Sequence, residues 1–245
     1  MARERYLVGV SEEELQYTDR STQLTPKGKL ENIWYHHKWG ILGGVFAVIV
    51  AAVLIVQLIT RVTPDYSICI AASTYIPEPI VEELEKALLP YAEDVNGDGE
   101  VAVQIQALNV QKEDEYTQVG VNNRQAVIAH IAAGDVMIFA FSPSFYNSFI
   151  AGMTAEEDFS FFTALGAEGE TVAEDGTYFT FDLSAFAQSV WSDYPKEQID
   201  EMLPEPLVIG VRYVDASAKD EHKQAQQRHL ELLRRFLKDE KVAQS

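Results

Sequence analysis

The chain has 245 residues, of which 47% are hydrophobic, and a formal net charge of −19. That apolar content is ordinary for a folded protein, so it excludes both a disordered chain and a multi-span transporter. The charge lies after residue 60, where 32 acidic residues face 13 basic ones, and such an acidic region repels phosphate backbones, which argues against nucleic acid as a partner.

The first 38 residues are polar, and their charges cancel. Residues 1–24 are expected to form a flexible tail. Thr25 followed by Pro26 is typical of a helix start, and we expect this helix to lie along the inner membrane surface before the chain turns into the apolar segment.

Residues 39–60 are 22 consecutive residues without a charge. As a helix they extend roughly 33 Å, which matches a hydrocarbon core of about 30 Å. The run is too long, and lies too far from the N-terminus, for a cleaved signal peptide. Lys27, Lys29 and Lys38 precede it and only Arg61 follows closely, so the positive-inside rule predicts a cytoplasmic tail (1–38), a single transmembrane helix in the cell membrane (39–60) and an extracytoplasmic domain (61–245).

Small residues recur at every fourth position of the predicted span. One row contains Gly40 and Gly44, and the other contains Gly43, Ala47 and Ala51. This spacing lets two helices approach closely, which favours self-association or pairing with another membrane protein. Small residues are also common in spans that pair with nothing, so both interpretations stay open.

The outer domain alternates strand and helix patterns. We predict strands over 66–73, 101–110, 136–141 and 206–214, and helices over 79–92, from Asn122 or Asn123 to Ala133, and over 219–240. In the second strand, Val101, Val103, Ile105 and Ala107 are expected to face inward. Residues 151–205 suggest a helical or packed segment around Phe159, Phe161, Phe162 and Leu165, then a turn that leads into a short strand at Tyr178. The alternation predicts an α/β domain with a doubly wound, mostly parallel, three-layer arrangement.

An acidic turn lies between the first helix and the second strand. Asp94, Asn96, Asp98 and Glu100 occupy positions 1, 3, 5 and 7 of a calcium-loop pattern, with Gly99 at position 6. Position 12 is Ile105 instead of a bidentate glutamate, so Glu113, Asp114 or Glu115 would have to complete the shell. The sequence therefore predicts either a structural Ca²⁺ site or a turn whose side chains bond local backbone amides.

Hydroxyl groups follow the first and third predicted strands. They are Ser73, Thr74, Tyr75, Ser142, Ser144 and Tyr146. Open α/β sheets bind ligands at the carboxyl ends of their strands, and hydroxyls beside a helix start hold anions or small polar molecules. We predict a ligand site there, with ordinary capping as the alternative.

Catalytic motifs are missing from the sequence: we find no G-x-S-x-G, H-E-x-x-H or Walker loop. The only cysteine, Cys69, lies in a predicted strand and is expected to be a buried hydrophobic residue. His130, His222 and His229 are expected to be packed or solvated, and no carboxylate pair is singled out by its spacing. The sequence therefore predicts that the domain is not an enzyme.

Two stretches resemble known proteins. The junction Ala133-Gly-Asp-Val-Met-Ile-Phe-Ala-Phe-Ser, together with the strand at 207–211 and its following helix, resembles one lobe of type II extracytoplasmic solute-binding proteins. The motif W-Y-x-x-K-W at 34–39 and the loop D-x-N-G-D-G at 94–99 resemble a family of uncharacterised bacterial single-pass membrane proteins. About 185 residues follow the span, which is too few for a second lobe, so a clamshell importer role is not expected.

Three functional hypotheses follow from these patterns. The first is a membrane-tethered, non-catalytic extracytoplasmic binding or interaction module. The second is an accessory or scaffold subunit of a larger membrane complex. The third is a cell-envelope hydrolase, which would need one carboxylate essential for turnover.

Overall fold

The computed structural model describes residues 26–59, 63–150 and 160–242. The chain divides into two compact units, one up to Arg61 and the other from Val62 onward. The predicted tail, the Thr25 cap, Arg61 and Phe159 lie outside the described residues.

The first unit contains one long helix, α1 (Pro26–Ile59). Its stretch Trp34–Val56 is long and apolar enough to cross a membrane, and none of it is buried against protein. Phe46 is 69% exposed, as expected for a helix whose solvent is lipid. One candidate membrane-spanning helix near the N-terminus is thus confirmed.

The helix runs without a break through the boundary expected at Lys38. The expected turn between a helix on the membrane surface and the span is therefore absent from residues 26–59. Sharp kinks in helices usually need a proline or a comparable interruption, and no proline stands between Pro26 and Pro64.

The second unit is an α/β domain with a five-stranded sheet in the order β2-β1-β3-β5-β4. The strands are β1 (Tyr66–Ala72), β2 (Val103–Asn109), β3 (Ile138–Phe141), β4 (Tyr178–Phe181) and β5 (Leu207–Val211). β1 pairs parallel with β2 and β3, whereas β5 pairs antiparallel with β3 and β4. Four strands share one direction and β5 opposes them, so a mostly parallel sheet is confirmed. The doubly wound, three-layer arrangement stays a prediction.

Six further helices surround the sheet in the described part of the domain. They are α2 (Glu78–Leu88), α3 (Gln118–Ala133), α4 (Pro143–Phe145), α5 (Leu183–Val190), α6 (Lys196–Met202) and α7 (Asp220–Lys238). A 3₁₀ turn (Leu89–Tyr91) continues α2, and a π-helical turn (Tyr146–Ile150) continues α4. Sequence analysis did not predict α5 or α6.

The start of α3 differs from the prediction. Its N-cap is Thr117, whose side chain accepts a hydrogen bond from the Gly120 N–H at 3.1 Å. A cap at Asn122 or Asn123 is therefore wrong, and Asn123 instead donates to the Asn109 carbonyl at 2.7 Å. The helix ends as predicted, because Gly134 takes up the left-handed conformation at φ +71°.

Two apolar clusters use alternate residues of β1, as the period of a strand requires. In the first cluster, Tyr66, Ile68 and Ile70 pack with residues of α2, α5, α6 and α7. In the second, Cys69 and Ala71 pack with Val127 of α3 and with an aromatic group. That aromatic group contains Phe139, Phe141, Phe145, Phe161 and Phe162.

One local expectation needs correction. Ala107 is exposed, whereas Leu108, on the other face of β2, is buried in the second cluster. Of the helical and packed alternatives near Phe161, the packed one holds: Phe161, Phe162 and Leu165 are buried, and Phe162 forms an isolated bridge with Arg212. The short strand expected at Tyr178 is present as β4.

Candidate functional site

Three of the predicted hydroxyls meet at the carboxyl ends of β1 and β3. Ser73 follows β1 directly, and Ser142 follows β3 and is buried. The Oγ atoms of Ser73 and Ser142 lie 2.7 Å apart, and the Oγ atoms of Ser73 and Ser144 lie 2.6 Å apart. The parallel register of the two strands brings these side chains together, as the sequence predicted.

A carboxylate that the sequence did not point to completes this group. Ser144 donates to Glu205 Oε2 through its hydroxyl at 2.8 Å and through its backbone N–H at 3.2 Å. Glu205 precedes β5, and because β5 runs antiparallel to β3 its start lies at the carboxyl end of β3. We call Ser73, Ser142, Ser144 and Glu205 the serine cluster.

The other three predicted hydroxyls are not part of the cluster. Thr74 donates to the Met202 carbonyl at 2.8 Å, and Tyr75 is 64% exposed. Tyr146 stacks on Phe162 with ring centroids 5.7 Å apart, and burial raises the pKa of its hydroxyl. Thr74 thus fixes a loop, and Tyr146 belongs to the aromatic packing.

A cleft of about 440 Å³ opens beside the serine cluster, within the range typical of small-molecule sites. It is lined by hydroxyl, charged and apolar side chains. They are Ser73, Ser144 and Ser148, Lys112, Glu115 and Arg124, and Val110, Phe145 and Phe149.

Arg124, on α3, is the second group that sequence reasoning missed. Its Nη2 donates to the carbonyls of Val110 and Gln111 at 3.2 and 3.3 Å. Its Nη1 is buried and has no hydrogen-bond partner among the described residues. A buried charged donor without an acceptor is costly, so it calls for a ligand or an ordered water.

The acidic loop is folded by its own side chains. Asp94 accepts from the N–H groups of Gly97 and Gly99 at 2.6 and 2.9 Å. Asn96 accepts from Asp98, and the Asp98 carboxylate accepts from the Glu100 N–H. Within the described ranges, no group of three or more histidine, cysteine, aspartate or glutamate side chains is placed to hold a metal ion.

The carboxylate nearest to this loop in the hydrogen-bond network is Asp65. It accepts from the N–H groups of Val95 and Asn96 at 2.7 and 2.9 Å and from that of Ala102 at 2.9 Å. Glu113, Asp114 and Glu115, which were expected to complete a shell, follow the far end of β2. A seven-residue strand separates its ends by roughly 20 Å, so they cannot reach the loop.

The thiol and the buried imidazole have little capacity for reaction. Cys69 is fully buried, and burial raises the pKa of its thiol to about 12, which confirms its role as a packed hydrophobe. His229 packs edge-on against Tyr66 and bonds the Ala225 carbonyl at 2.7 Å. Burial lowers its pKa to about 4.

The small residues of α1 leave open space along that helix. A Cβ atom added at Gly40, Gly43 or Gly44 would meet nothing within 4 Å. Gly40, Gly43 and Gly44 thus have no neighbour within that distance among the described residues.

No protein-family model, curated protein or solved structure was found to match this chain. The resemblance to one lobe of solute-binding proteins thus stays a hypothesis.

Proposed function

We propose that the protein is a membrane-tethered, non-catalytic module whose outer domain binds a small ligand in the cleft beside the serine cluster. The observation that carries this proposal is the junction of Ser73, Ser142, Ser144 and Glu205 at the carboxyl ends of β1 and β3. The described serine contacts involve hydroxyl, backbone and carboxylate groups and no imidazole base, which supports binding rather than acyl transfer.

The location of the cleft supports the same function. α2 packs in the first apolar cluster and α3 in the second, so we also propose the doubly wound, three-layer arrangement. In the strand order β2-β1-β3-β5-β4, the connection that follows β1 leads to β2 on one side, and the connection that follows β3 leads to β4 on the other side. The crevice between β1 and β3 is then the topological switch point, where open α/β sheets bind ligands.

The apolar helix supports the tether. A helix such as α1 that exposes apolar side chains on all faces is stable in lipid and not in water. The excess of lysine before the span supports a cytoplasmic N-terminus and an extracytoplasmic domain. The outer face of a bacterial cell membrane is the location that we propose.

A blocking substitution tests the cleft directly. Ser148 and Ser189 are both exposed helical serines that bond the carbonyl three residues earlier, but only Ser148 lines the cleft. We expect Ser148→Trp to abolish the thermal shifts that a library of small polar solutes gives with the full chain, while Ser189→Trp preserves them. Equal shifts in both variants, or no shift with the unmodified chain, would contradict the proposal.

The alternative function is an accessory subunit whose helix pairs within a membrane complex. The rows Gly40–Gly44 and Gly43–Ala47–Ala51 favour it. Crosslinking in membranes should then give a defined product that Gly43→Ile and Gly44→Ile abolish, and that Val48→Ile, a control on the same helix, leaves unchanged.

A structural Ca²⁺ in the loop Asp94–Glu100 is a separate proposal, in which water molecules complete the shell because Glu113, Asp114 and Glu115 lie beyond the far end of β2. Supporting it, Gly97 and Gly99 have positive φ values of +75° and +88°, which fold three oxygen-bearing side chains into one turn. Added Ca²⁺ should raise the melting temperature of the full chain, and Asp94→Asn with Asp98→Asn should remove that response. If the melting temperature does not change with Ca²⁺, the loop is not a Ca²⁺ site but a turn whose side chains bond its own backbone amides.

A further inference from the structure

The cleft beside the serine cluster is lined by the hydroxyls of Ser73 and Ser144 and by the cationic side chains of Lys112 and Arg124. We propose that it binds a small organic acid that also carries a hydrogen-bond donor. The carboxylate of this ligand lies at Arg124 and Lys112, and its donor group lies at Ser73 and Ser144. This inference rests on the proposed ligand-binding function.

The direction of the serine hydrogen bonds follows from proton counting. A carboxylate only accepts, and each hydroxyl has one proton. The proton of Ser144 goes to Glu205 at 2.8 Å, so Ser73 must donate to Ser144 at 2.6 Å. Ser142 must then donate to Ser73 at 2.7 Å. The three hydroxyls form a relay from Ser142 through Ser73 and Ser144 to Glu205.

The relay determines what the serines offer to a ligand. Every hydroxyl proton is used within the relay, while Ser73 and Ser144 each keep one lone pair and both line the cleft. They therefore accept from a ligand and cannot donate to it without breaking the relay. A hydroxyl or an ammonium group fits there, and a bare carboxylate does not.

The cationic side chains of the cleft have the opposite character. Arg124 has Nη1 protons without an acceptor among the described residues, and Lys112 lies at the same cleft. The Arg124 guanidinium offers a carboxylate a charge-assisted hydrogen bond through Nη1, because its Nη2 is already held by the carbonyls of Val110 and Gln111. The lining carries two cations, Lys112 and Arg124, and one carboxylate, Glu115, so its charged side chains sum to a net positive charge, which favours the carboxylate end of the ligand.

Three apolar side chains also line the cleft. Phe145 and Phe149 stack with centroids 5.0 Å apart, and both line the cleft with Val110. An apolar body of the ligand packs against these rings, as in most small-molecule sites.

Four probes separate the two polar requirements. Phenylacetate has only the carboxylate, L-mandelate adds a hydroxyl, L-phenylglycine adds an ammonium, and benzylamine has only the ammonium. Titration calorimetry on the full chain in lipid nanodiscs, with empty nanodiscs as the blank, should show that mandelate or phenylglycine binds at least about ten-fold more tightly than phenylacetate. Benzylamine should bind more weakly than phenylglycine by a similar factor.

Matched variants assign each requirement to its residues. Arg124→Gln should weaken the binding of the acids about ten-fold or more, whereas Arg228→Gln, at an exposed position of α7, should leave it unchanged. Because Arg124 also holds two carbonyls, Lys112→Gln at an exposed position is the second variant, and it should weaken the binding of the acids as well.

Ser144→Ala frees the Ser73 proton for the ligand. The affinity of mandelate or phenylglycine should then be about equal to that of phenylacetate, while Ser189→Ala preserves the difference in affinity.

The outcomes that overturn this inference differ from those that overturn ligand binding. If phenylacetate binds as tightly as mandelate and phenylglycine, the ligand does not need a hydrogen-bond donor, and this part of the inference is wrong. If the acids bind Arg124→Gln and Lys112→Gln as tightly as the unmodified chain, the ligand carboxylate does not lie at these two residues. If none of the probes binds, the inference fails, while the solute library with Ser148→Trp and Ser189→Trp separately decides whether the cleft binds any ligand.

Discussion

The helix α1 and the α/β domain place the same apolar residue types in opposite surroundings. Phe46 of α1 is 69% exposed, whereas Phe141 of β3 is fully buried. In α1 the apolar residues occupy every face of the helix, while in the domain they alternate along strands and collect in two clusters.

The difference is the one expected if α1 lies in lipid and the α/β domain lies in water. A water-soluble domain buries apolar area because water drives that burial, at about 25 cal/mol per Å². A helix in lipid gains nothing by hiding the same groups, so only its length and lack of charge are constrained. Substitutions should therefore have opposite consequences in the two regions.

The largest contrast is expected from charge at the middle of α1. Each arginine at the centre of a span costs about 2.5–3.5 kcal/mol for insertion, so Ile49→Arg with Val53→Arg should cost about 5–7 kcal/mol. The protein should leave the carbonate-resistant membrane fraction, while Ile49→Leu with Val53→Leu stays in it. A double-arginine variant that still resists carbonate would show that lipid does not surround this helix.

Removal of an aromatic ring should have nearly as different an effect in the two regions as the arginine substitutions. Phe141→Ala deletes a fully buried ring that contacts five other aromatic rings of its cluster, namely Phe139, Phe145, Tyr146, Phe161 and Phe162. It should lower the free energy of unfolding of the domain by about 3–5 kcal/mol. Phe46→Ala, the same change on α1, should alter it by less than about 0.5 kcal/mol. Urea unfolding of the full chain in detergent, followed by near-UV circular dichroism, measures both, and similar losses would contradict the comparison.

Acid should destabilise the domain through His229. Its pKa in the folded state is about 4 because of burial, against about 6.5 for an exposed histidine. Between these values the unfolded chain binds more protons than the folded chain, so stability falls as the pH drops from 6.5 to 4, by up to about 3 kcal/mol.

The substitution His229→Phe should flatten this part of the pH profile, because the phenyl ring does not titrate. His222→Gln, on the same helix α7, serves as the control and should keep the slope. Melting curves between pH 4 and 7 measure the difference, and parallel profiles for His229→Phe and the unmodified chain would rule out His229 as the source.

A smaller contrast is expected between glycines. A Cβ atom at Gly120 would collide with the backbone carbonyl of Asp114 at the start of α3, whereas one at Gly43 of α1 meets nothing. Gly120→Ala should cost about 1–3 kcal/mol of domain stability, and Gly43→Ala should cost none. Equal unfolding midpoints for the two variants would show that α3 starts differently.

The sequence predicted the features that depend on local pattern. The span follows from the length of its uncharged run, and β1, β3 and β5 follow from short apolar runs beside turn residues. Ser73, Ser142 and Ser144 were found because they come directly after strands, and parallel pairing places such residues together.

The parts that were missed depend on contacts between distant segments. Glu205 joins the cluster only because β5 runs antiparallel, and nothing in its own residues specifies that direction. Arg124 is one polar residue in a helix until the loop at Val110 folds over it. Tyr75 and Tyr146 follow the same strands as the serines, but one faces solvent and the other joins the aromatic cluster.

Site-specific labelling tests the two-solvent account most directly. In the background Cys69→Ala, Ser217→Cys places one thiol on the outer domain, where Ser217 is exposed, and Ser11→Cys places one in the N-terminal tail. In intact spheroplasts of a bacterial host, a membrane-impermeant maleimide should label position 217 at once and position 11 only after permeabilisation. Equal labelling of both positions before permeabilisation, or the reverse order, would contradict the account.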